Sequence, residues 1–343
     1  MSYGIVISED SFVFTRTGVV TVRTLQADTE VLGVSGVHNF AELQKVELRP
    51  DESVLQKHAT RLVTQVTDSI LLPDTLFCSE TIQNSSQILS KSEVEFFHAP
   101  EAPKFAPGSG CGNLTLEPEE AYAVGLMTKP LHLESECAVF LLRNAGTKDF
   151  QKSIYQSITE VLSNRKLKVD VRIRNGQLDY AWIVLMGSEV NEVRTLLSSV
   201  SPADACLKLR HEALVNYVAG MLDARIGAPL YGGNPVVLFS KDESIQKRFL
   251  NSVLLLFESR VAETSCITSH SPKVLETADV LSNTLPVRNP EWENVDNSKT
   301  LNLFSKVRGI IDVQTRCVRM VFDEQGFSPI VDCLYTYPCV LKE

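Results

Sequence analysis

The amino-acid sequence predicts an α+β fold, in which an all-β domain formed from both termini is interrupted by a pseudo-twofold αββα domain. Residues 1–97 and 301–343 carry short apolar runs separated by turn residues, a pattern typical of strands. Residues 115–281 alternate instead between helical and strand patterns. Because the strand-rich stretches flank the mixed one, we predict that the two ends of the chain complete one β domain.

Two stretches are predicted to be linkers. Residues 98–114, HAPEAPKFAPGSGCGNL, are rich in proline and glycine, and residues 282–300 have a similar polar character. The segment GSGCGN could alternatively cradle a phosphate. It lacks the Gly-Lys-Ser/Thr ending and the following helix of such loops, so the linker interpretation is preferred.

The first half of the mixed region contains four predicted elements. A helix follows Thr115, which is placed to cap it, and CAVFLL (137–142) reads as a buried strand. Residues 147–163 form an amphipathic helical pattern. The stretch KLKVDVRIRNGQLDYAWIVLMG (166–187) predicts a hairpin, with Asn175-Gly176 as a type I′ turn.

The second half repeats this order. YAVGLM (122–127) aligns with YVAGML (217–222), about 95 residues later, and a strand and a further helix follow each copy. Gly125 and Gly220 place a small residue on an otherwise bulky helix face, which lets two helices approach closely. We therefore predict two similar halves packed about a pseudo-twofold axis.

Composition limits the function classes. The net charge of −9 disfavours a protein whose main task is to hold a nucleic-acid backbone. No apolar run reaches the length of a membrane span, and the N-terminus has no secretory pattern, so we predict a cytoplasmic protein without membrane insertion. The eight cysteines show neither CxxC pairs nor zinc spacing, so we expect reduced thiols, no metal and no cofactor.

The repeated helices resemble the signature of the LAGLIDADG homing endonucleases. VAGMLDARI (218–226) falls on the nine-residue motif, and AYAVGLMTKPL (121–131) resembles its weaker first copy. The resemblance implies an acidic residue after each helix that holds a divalent metal. Those positions carry Pro130 and Arg225, and Asp223 lies on the opposite side of the helix from Arg225. We therefore predict no nuclease activity.

The family also reads DNA with alternating residues on strands, and one strand pattern here is basic on one side. A solvated strand face gives the same pattern, and that interpretation is preferred. The candidate nucleic-acid or partner face consists of Lys166, Lys168, Arg172 and Arg174, with Asp170 among them.

The two ends resemble the Hedgehog/intein (Hint) splicing domain in which such endonucleases are inserted. Residues 6–25 resemble the first intein block, with Val6 where the splicing nucleophile belongs. In the second block, Thr67, Ser69 or Ile70 takes the histidine position according to the gap chosen, and His58 reads as a surface residue upstream.

The closing stretch PIVDCLYTYPCV resembles the C-terminal intein block. Cys333 takes the place of the turn glycine, Tyr337 that of the histidine and Pro338 that of the asparagine, while Cys339 remains at the extein nucleophile position. Proline cannot cyclise as asparagine does, so the resemblance implies a domain that does not splice. Residual thiol chemistry at Cys339 is a minor alternative, since no activating base is evident.

These observations support two function hypotheses. The first is a degenerate intein-like protein, not an enzyme, that has been repurposed as a protein-binding adaptor or as a recruitment or sorting factor, and that is phage-encoded. It would then act in the host cytoplasm or a phage compartment. The alternative is a non-cleaving, sequence-specific DNA-binding protein that uses the strands of the LAGLIDADG-like domain.

Overall fold

A computed structural model describes most of the 343-residue chain. The described residues are 3–26, 29–35, 41–49, 114, 116–128, 130–142, 147–176, 180–227, 236–239, 243–256, 260–263, 273–278, 285–294, 304–322, 327–332, 334–337 and 339–340, together with the strand backbones at 57–64, 68–71, 76–78, 82–84 and 95–97. The predicted linker 98–114 lies outside these residues except for Leu114. Helices and strands are both abundant, so the predicted α+β class is confirmed.

The described residues of the N-terminal part of the chain form strands, apart from a few turn residues. They are β1 Tyr3–Ser8, β2 Phe12–Thr15, β3 Gly18–Thr21, β4 Glu30–Ser35, β5 Ala41–Lys45, β6 Glu47–Arg49, β7 Lys57–Thr64, β8 Asp68–Leu71, β9 Leu76–Cys78, β10 Ile82–Asn84 and β11 Glu95–Phe97, with one 3₁₀ turn at Val22–Thr24.

The C-terminal part is likewise made of strands, and these pair with the N-terminal ones. They are β20 Phe304–Thr315, β21 Cys317–Phe322, β22 Phe327–Val331, β23 Leu334–Tyr337 and β24 Cys339–Val340. The three sheets have the orders β24-β1-β21-β6, β10-β9-β23-β22-β2-β4-β5 (with β3 on β2) and β11-β20-β7-β8. Each sheet therefore contains strands from both ends of the chain.

The middle of the chain contains the helices. Its elements are α1 Pro118–Leu126, β12 Pro130–Leu133, β13 Cys137–Leu142, α2 Lys148–Asn164, β14 Asp170–Asn175, β15 Ala181–Met186, α3 Val190–Ser199, α4 Ala205–Lys208, α5 His211–Asp223, β16 Ile226–Gly227, β17 Val236–Phe239, α6 Ser244–Leu256, β18 Arg260–Glu263 and β19 Lys273–Ala278, followed by a 3₁₀ turn at Pro290–Asn294.

The two halves of this region have matching sheets. One has the strand order β12-β13-β15-β14 and the other β16-β17-β19-β18. Each half therefore runs α-β-β-α-β-β, two strands more than the predicted αββα unit. The extra strands of the second half, RVAE and KVLETA, each place two apolar residues side by side between polar ones, so their sequences lack the alternation typical of a strand.

Helix α1 begins later than predicted. Pro118 occupies its first position, where the missing N–H costs nothing, so the cap falls on Glu117 rather than Thr115. The Glu117 N–H donates to Glu120 Oε2 at 3.2 Å, which ties down the first turn. Helix α2 begins as predicted, because the Phe150 N–H donates to the Thr147 hydroxyl at 3.2 Å.

The middle region and the β domain share a continuous hydrophobic core. Helix α6 packs against β2, with the rings of Phe249 and Phe12 6.1 Å apart. Arg248 donates to the carbonyl oxygen of Asp10 at 2.8 Å and lies 5.8 Å from the Phe12 ring centroid. The second half of the insertion is therefore docked on the β domain. Among the described residues, no helix combines the length and apolar character needed to cross a membrane.

Candidate functional site

The centre of the insertion is the helix pair α1 and α5, which meet backbone to backbone. A Cβ atom on Gly125 would lie 2.1 Å from the carbonyl oxygen of Tyr217, and one on Gly220 would lie 2.2 Å from that of Tyr122. Non-bonded atoms cannot approach this closely, so glycine is required at both positions. The contact is reciprocal, and the predicted close approach of the two helices is confirmed.

The end of this helix pair is where the family resemblance implies a divalent metal. Pro130 begins β12 and offers no ligand atom. Arg225 follows α5, and its Nη2 donates to Thr128 Oγ1 at 2.8 Å and to Glu243 Oε1 at 2.9 Å. Because a guanidinium remains charged, these residues do not fit a metal ion. The described part of the chain also contains no group of three or more His, Cys, Asp or Glu residues that could hold one.

Asp223 is the last residue of α5 and is completely buried. Its carboxylate accepts hydrogen bonds from the Tyr122 hydroxyl and Trp292 Nε1, each at 2.7 Å, and from the backbone N–H groups of Arg288 and Asn289 at 2.7 and 3.2 Å. Burial raises the pKa of Asp223 to about 6, although these hydrogen bonds act to lower it. Asp223 is therefore a structural acceptor that joins both halves to a third segment.

That third segment, residues 285–294, is here named the clasp. It falls within the predicted linker 282–300, yet Asn289 and Trp292 are buried. The Arg288 guanidinium lies 3.8 Å from the ring centroid of Tyr122 and donates to Ser157 Oγ at 2.6 Å and Glu119 Oε1 at 2.7 Å. Asn289 and Trp292 of the clasp are thus packed against the insertion rather than solvated, because Asp223 accepts their hydrogen bonds, a contact that composition does not reveal.

The strands that carry three of the positions where the resemblance implies splicing chemistry are neighbours. Val6 lies on β1, which pairs with β24 so that Gly4 is opposite Cys339. Ser69 lies on β8, which contacts β1, and Ile70 lies on the same strand. His58 lies on β7, which pairs with β8, and Thr67 lies outside the described residues.

Tyr337 lies on β23 opposite Leu76 of β9, and Pro338 lies outside the described residues. Cys333, the predicted turn position, lies outside the described residues, and the residue before it, Asp332, has a left-handed backbone with φ 48°. A two-residue turn joins β22 to β23, since Val331 pairs with Leu334, and such turns favour aspartate with positive φ. Asp332 Oδ1 also accepts from the Phe12 N–H at 2.8 Å.

The predicted basic stripe is only partly a strand. Arg172 and Arg174 are exposed on β14, whereas Lys166 and Lys168 precede it. Lys166 has φ 58° and ends α2: its N–H donates to the Ser163 carbonyl oxygen at 3.0 Å. The next N–H, of Leu167, reaches the Leu162 carbonyl at 2.8 Å, which completes a Schellman motif. This helix end occupies the place of the first predicted strand residues.

The predicted Asn175-Gly176 turn is also wrong. Asn175 pairs with Ala181, so the connection between β14 and β15 is five residues long. A Cβ atom on Gly176 would lie 2.6 Å from the Trp182 ring, so the glycine accommodates the indole. Packing of a large side chain, rather than a two-residue turn, explains the glycine.

The outward side of the first sheet, here named the outer face, forms three rows across β13, β15 and β14. Side chains on these strands alternate between buried and accessible, which assigns every second residue to the outer face. The strand register places the rows as Leu141–Trp182–Arg174, Val139–Val184–Arg172 and Cys137–Met186–Asp170. Two columns are apolar and the third is charged.

The outer face exposes large apolar side chains. Trp182 is 36% exposed and Met186 41%, and Leu131 on the adjacent β12 is 53% exposed. Sequence reasoning did not identify this surface, because it assigned the region to a hairpin and singled out only the basic column. The available signal was AWIVLM (181–186), in which all six residues are apolar although only every second side chain is buried.

Comparison with known proteins gives a likeness to homing endonucleases over about half of the chain. A structure of mesophilic variants of the homing endonuclease I-DmoI is 13% identical, covers 51% of this chain and 95% of its own, and has a TM-score of 0.34. I-DmoI in complex with DNA and Ca is 13% identical over 47% of this chain and 82% of its own, with a TM-score of 0.33. I-DmoI with DNA and Mn is 12% identical over 47% and 89%, with a TM-score of 0.31.

No protein-family model matches the chain, and no curated protein matches it. Identities of 12–14% say nothing about activity, so the functional assignment depends on the chain's own side chains.

Proposed function

We propose that this chain is a non-cleaving, non-splicing protein that binds a protein partner through its outer face. The observation that carries the proposal is the composition of that face. Trp182 and Met186 are exposed on its central strand, and Arg172 and Arg174 line its margin. Tryptophan, methionine and arginine are the residues enriched at protein–protein interfaces.

The same geometry favours a protein partner over DNA. Base edges are read by hydrogen-bonding side chains, but five of the six residues in the two apolar columns are Leu, Val, Met or Cys. The partner that fits presents apolar side chains to the two columns and carboxylates to the arginine margin. A role in recruitment or sorting is the finer form of this proposal, while the cytoplasmic setting and the phage origin stay predictions.

The absence of cleavage is part of the proposal. Metal-dependent hydrolysis needs hard oxygen ligands that clamp the cation, and Pro130 and Arg225 offer none. Plasmid DNA incubated with the protein and Mg²⁺ or Mn²⁺ should therefore remain supercoiled. Nicked or linear product that depends on the metal, and that the Arg225→Met variant fails to form, would contradict the proposal.

We also propose that the β domain has the Hint-like architecture without its reaction. The pairing of β1 with β24 supports this, because it places the strand of Val6 beside that of Cys339. Valine cannot attack a carbonyl, and proline at position 338 cannot cyclise. With reporter proteins fused to both ends, we expect one intact polypeptide on a denaturing gel, whereas a ligated reporter pair would disprove the proposal.

The binding proposal is tested by a matched set of surface variants. Immobilised wild-type protein, the double variant Trp182→Ser/Met186→Ser and the control Tyr155→Ser are incubated with nuclease-treated native extract. Tyr155 is an exposed aromatic residue, 44% accessible, on α2 rather than on the outer face. We expect specific proteins to be retained by the wild type and the control, and to fall at least about tenfold with the double variant, since aromatic anchors dominate interfaces. Equal recovery with all three would refute the outer face as the site.

DNA binding is a second candidate, favoured by the exposed basic residues at one edge of the outer face: Lys166, Lys168, Arg172 and Arg174. Phosphate contacts would give an affinity that falls steeply with salt. Gel shifts with genomic fragments at several salt concentrations measure this, and reversal of the four residues to glutamate should abolish binding. A salt-independent or absent shift would exclude this candidate.

A further inference from the structure

The helices α1 and α5 end side by side, and a positive charge at this place would stabilise both ends. They cross at the reciprocal glycine contact, and they run in the same direction, since Arg225, just after α5, is hydrogen-bonded to Thr128, just after α1. Their C-terminal turns are therefore neighbours. The carboxyl end of a helix carries roughly half a negative charge, so two adjacent ends favour a cation between them.

Arg225 supplies a positive charge at this junction. Its side chain is 4% exposed, and its Nη1 donates to the carbonyl oxygen of Met221, in the last turn of α5, at 3.0 Å. Its Nη2 reaches Thr128, two residues beyond α1, and Glu243, just before α6. The guanidinium lies 5.6 Å from the ring centroid of Phe239. It thus contacts both halves of the insertion at once.

We propose that the Arg225 guanidinium is the resident cation of the helix junction, and that it joins the two halves in the place where the resembling family holds a divalent metal. The family resemblance implies a metal at this place, but Pro130 and Arg225 do not fit one. The fixed positive charge of Arg225 accounts for this difference. A guanidinium donates five hydrogen bonds in a planar fork and does not lose its proton, so it neutralises two helix ends and one carboxylate permanently. This proposal is independent of the partner-binding role.

The first test measures thermal unfolding of variants at the junction. Arg225→Met should lower Tm by roughly 5–10 °C, because it leaves a buried carboxylate and two helix ends without their cation. Arg16→Met is the control, since Arg16 pairs with Glu30 at the surface, where the two side chains are 67% and 33% exposed. That control should shift Tm by less than about 3 °C.

The double variant Arg225→Met/Glu243→Leu separates two roles. If Arg225 served only to neutralise Glu243, removal of both charges would restore the wild-type Tm, and the proposal would be wrong. If the guanidinium also stabilises the helix ends and binds Thr128, the Tm of the double variant stays well below that of the wild type. Arg225→Lys should recover part of the loss, because a lysine carries the charge without the fork.

The second test uses the wild-type protein, so it does not depend on a variant that folds. Mg²⁺, Mn²⁺ or Ca²⁺ is titrated to millimolar concentration, with EDTA as the reference, and Tm is recorded. We expect a change of less than about 1 °C, since a ligand that does not bind the native state does not stabilise it. A saturable rise of several degrees that Arg225→Met alters would show a bound metal at the junction and would overturn the proposal.

Discussion

At the scale of single residues, Lys166 occupies a backbone conformation that is unfavourable for any residue with a side chain. It adopts φ 58° at the end of α2, where the Schellman motif usually has glycine. A side chain in this conformation costs about 1 kcal/mol or slightly more. We predict that Lys166→Gly raises the free energy of unfolding by roughly 0.5–1 kcal/mol, measured by urea denaturation.

Lys168→Gly is the control for this prediction. Lys168 is also exposed, but its φ is not positive, so glycine there only adds freedom to the unfolded chain. The control should leave stability unchanged or lower it slightly. A loss of stability for Lys166→Gly would show that the left-handed conformation is not strained.

Asp223 gives a pH-dependent contribution to stability. Burial raises its pKa to about 6 from an ordinary value of 3.8, so the folded state holds this proton more tightly than the unfolded state. The contribution is therefore complete below pH 3.8 and is lost as the pH rises through 6. The stability difference between the wild type and Asp223→Asn should be larger at pH 4 than at pH 7, by up to about 3 kcal/mol.

Urea titrations of both proteins at half-unit steps between pH 4 and 7 measure this difference. The pH-dependent contributions of the other carboxyl groups to stability cancel in this difference, because both proteins contain those groups. If the difference grows as the pH rises, the four hydrogen bonds to Asp223 outweigh its burial and the carboxylate is favoured in the folded state.

At the scale of elements, the helix pair offers two tyrosines in equivalent positions with different surroundings. The Tyr122 hydroxyl donates to Asp223, whereas the buried Tyr217 hydroxyl has no hydrogen-bond partner among the described residues. We predict that Tyr122→Phe lowers the free energy of unfolding by about 1–3 kcal/mol, while Tyr217→Phe leaves it unchanged or raises it by about 1 kcal/mol. Equal losses for the two variants would contradict this asymmetry.

The glycine contact between α1 and α5 predicts a larger loss of stability than the tyrosine variants. Gly125→Ala and Gly220→Ala each place a methyl group within about 2.2 Å of a backbone oxygen, so the helices must separate. We expect each to lower the free energy of unfolding by about 3 kcal/mol or more, against the 1–3 kcal/mol typical of overpacking. Asn216→Ala on the same helix is the control and should change it by less than about 0.5 kcal/mol. Alanine variants as stable as that control would disprove the backbone contact.

Sequence reasoning predicted these helices because their signals are local. The apolar periodicity of residues 147–163 and the two glycines 95 residues apart are visible without any tertiary information. The start of α1 and the start of β14 were misplaced by a few residues, since a proline at the first helical position and a lysine with positive φ after α2 are exceptions to the usual capping pattern.

The outer face and the clasp were not predicted, and the reason is different: both depend on contacts between residues that are far apart in the chain. Whether Trp182 points to solvent depends on which side of the sheet the helices cover, and that is a property of the whole half. The burial of Asn289 and Trp292 depends on Asp223, more than 60 residues earlier in the chain. Long-range contacts of this kind leave no periodic trace in the sequence.

At the scale of the whole molecule, the two domains are expected to unfold together. Helix α6 buries Phe249 against Phe12, and the clasp binds both halves of the insertion. An insertion held only by flexible linkers would instead unfold as a separate unit. We predict one calorimetric transition for the wild type, and two for Phe249→Ala, which removes the ring at the interface. Two transitions in the wild type would show that the domains are independent.

Site-specific photocrosslinking shows whether a protein partner contacts the outer face. A benzoylphenylalanine residue is introduced at position 182 or, as the control, at position 155, and each protein is irradiated in nuclease-treated native extract. We expect a discrete protein adduct from position 182 that position 155 does not give. Adducts of nucleic acid alone in untreated extract, or identical protein adducts from both positions, would contradict it.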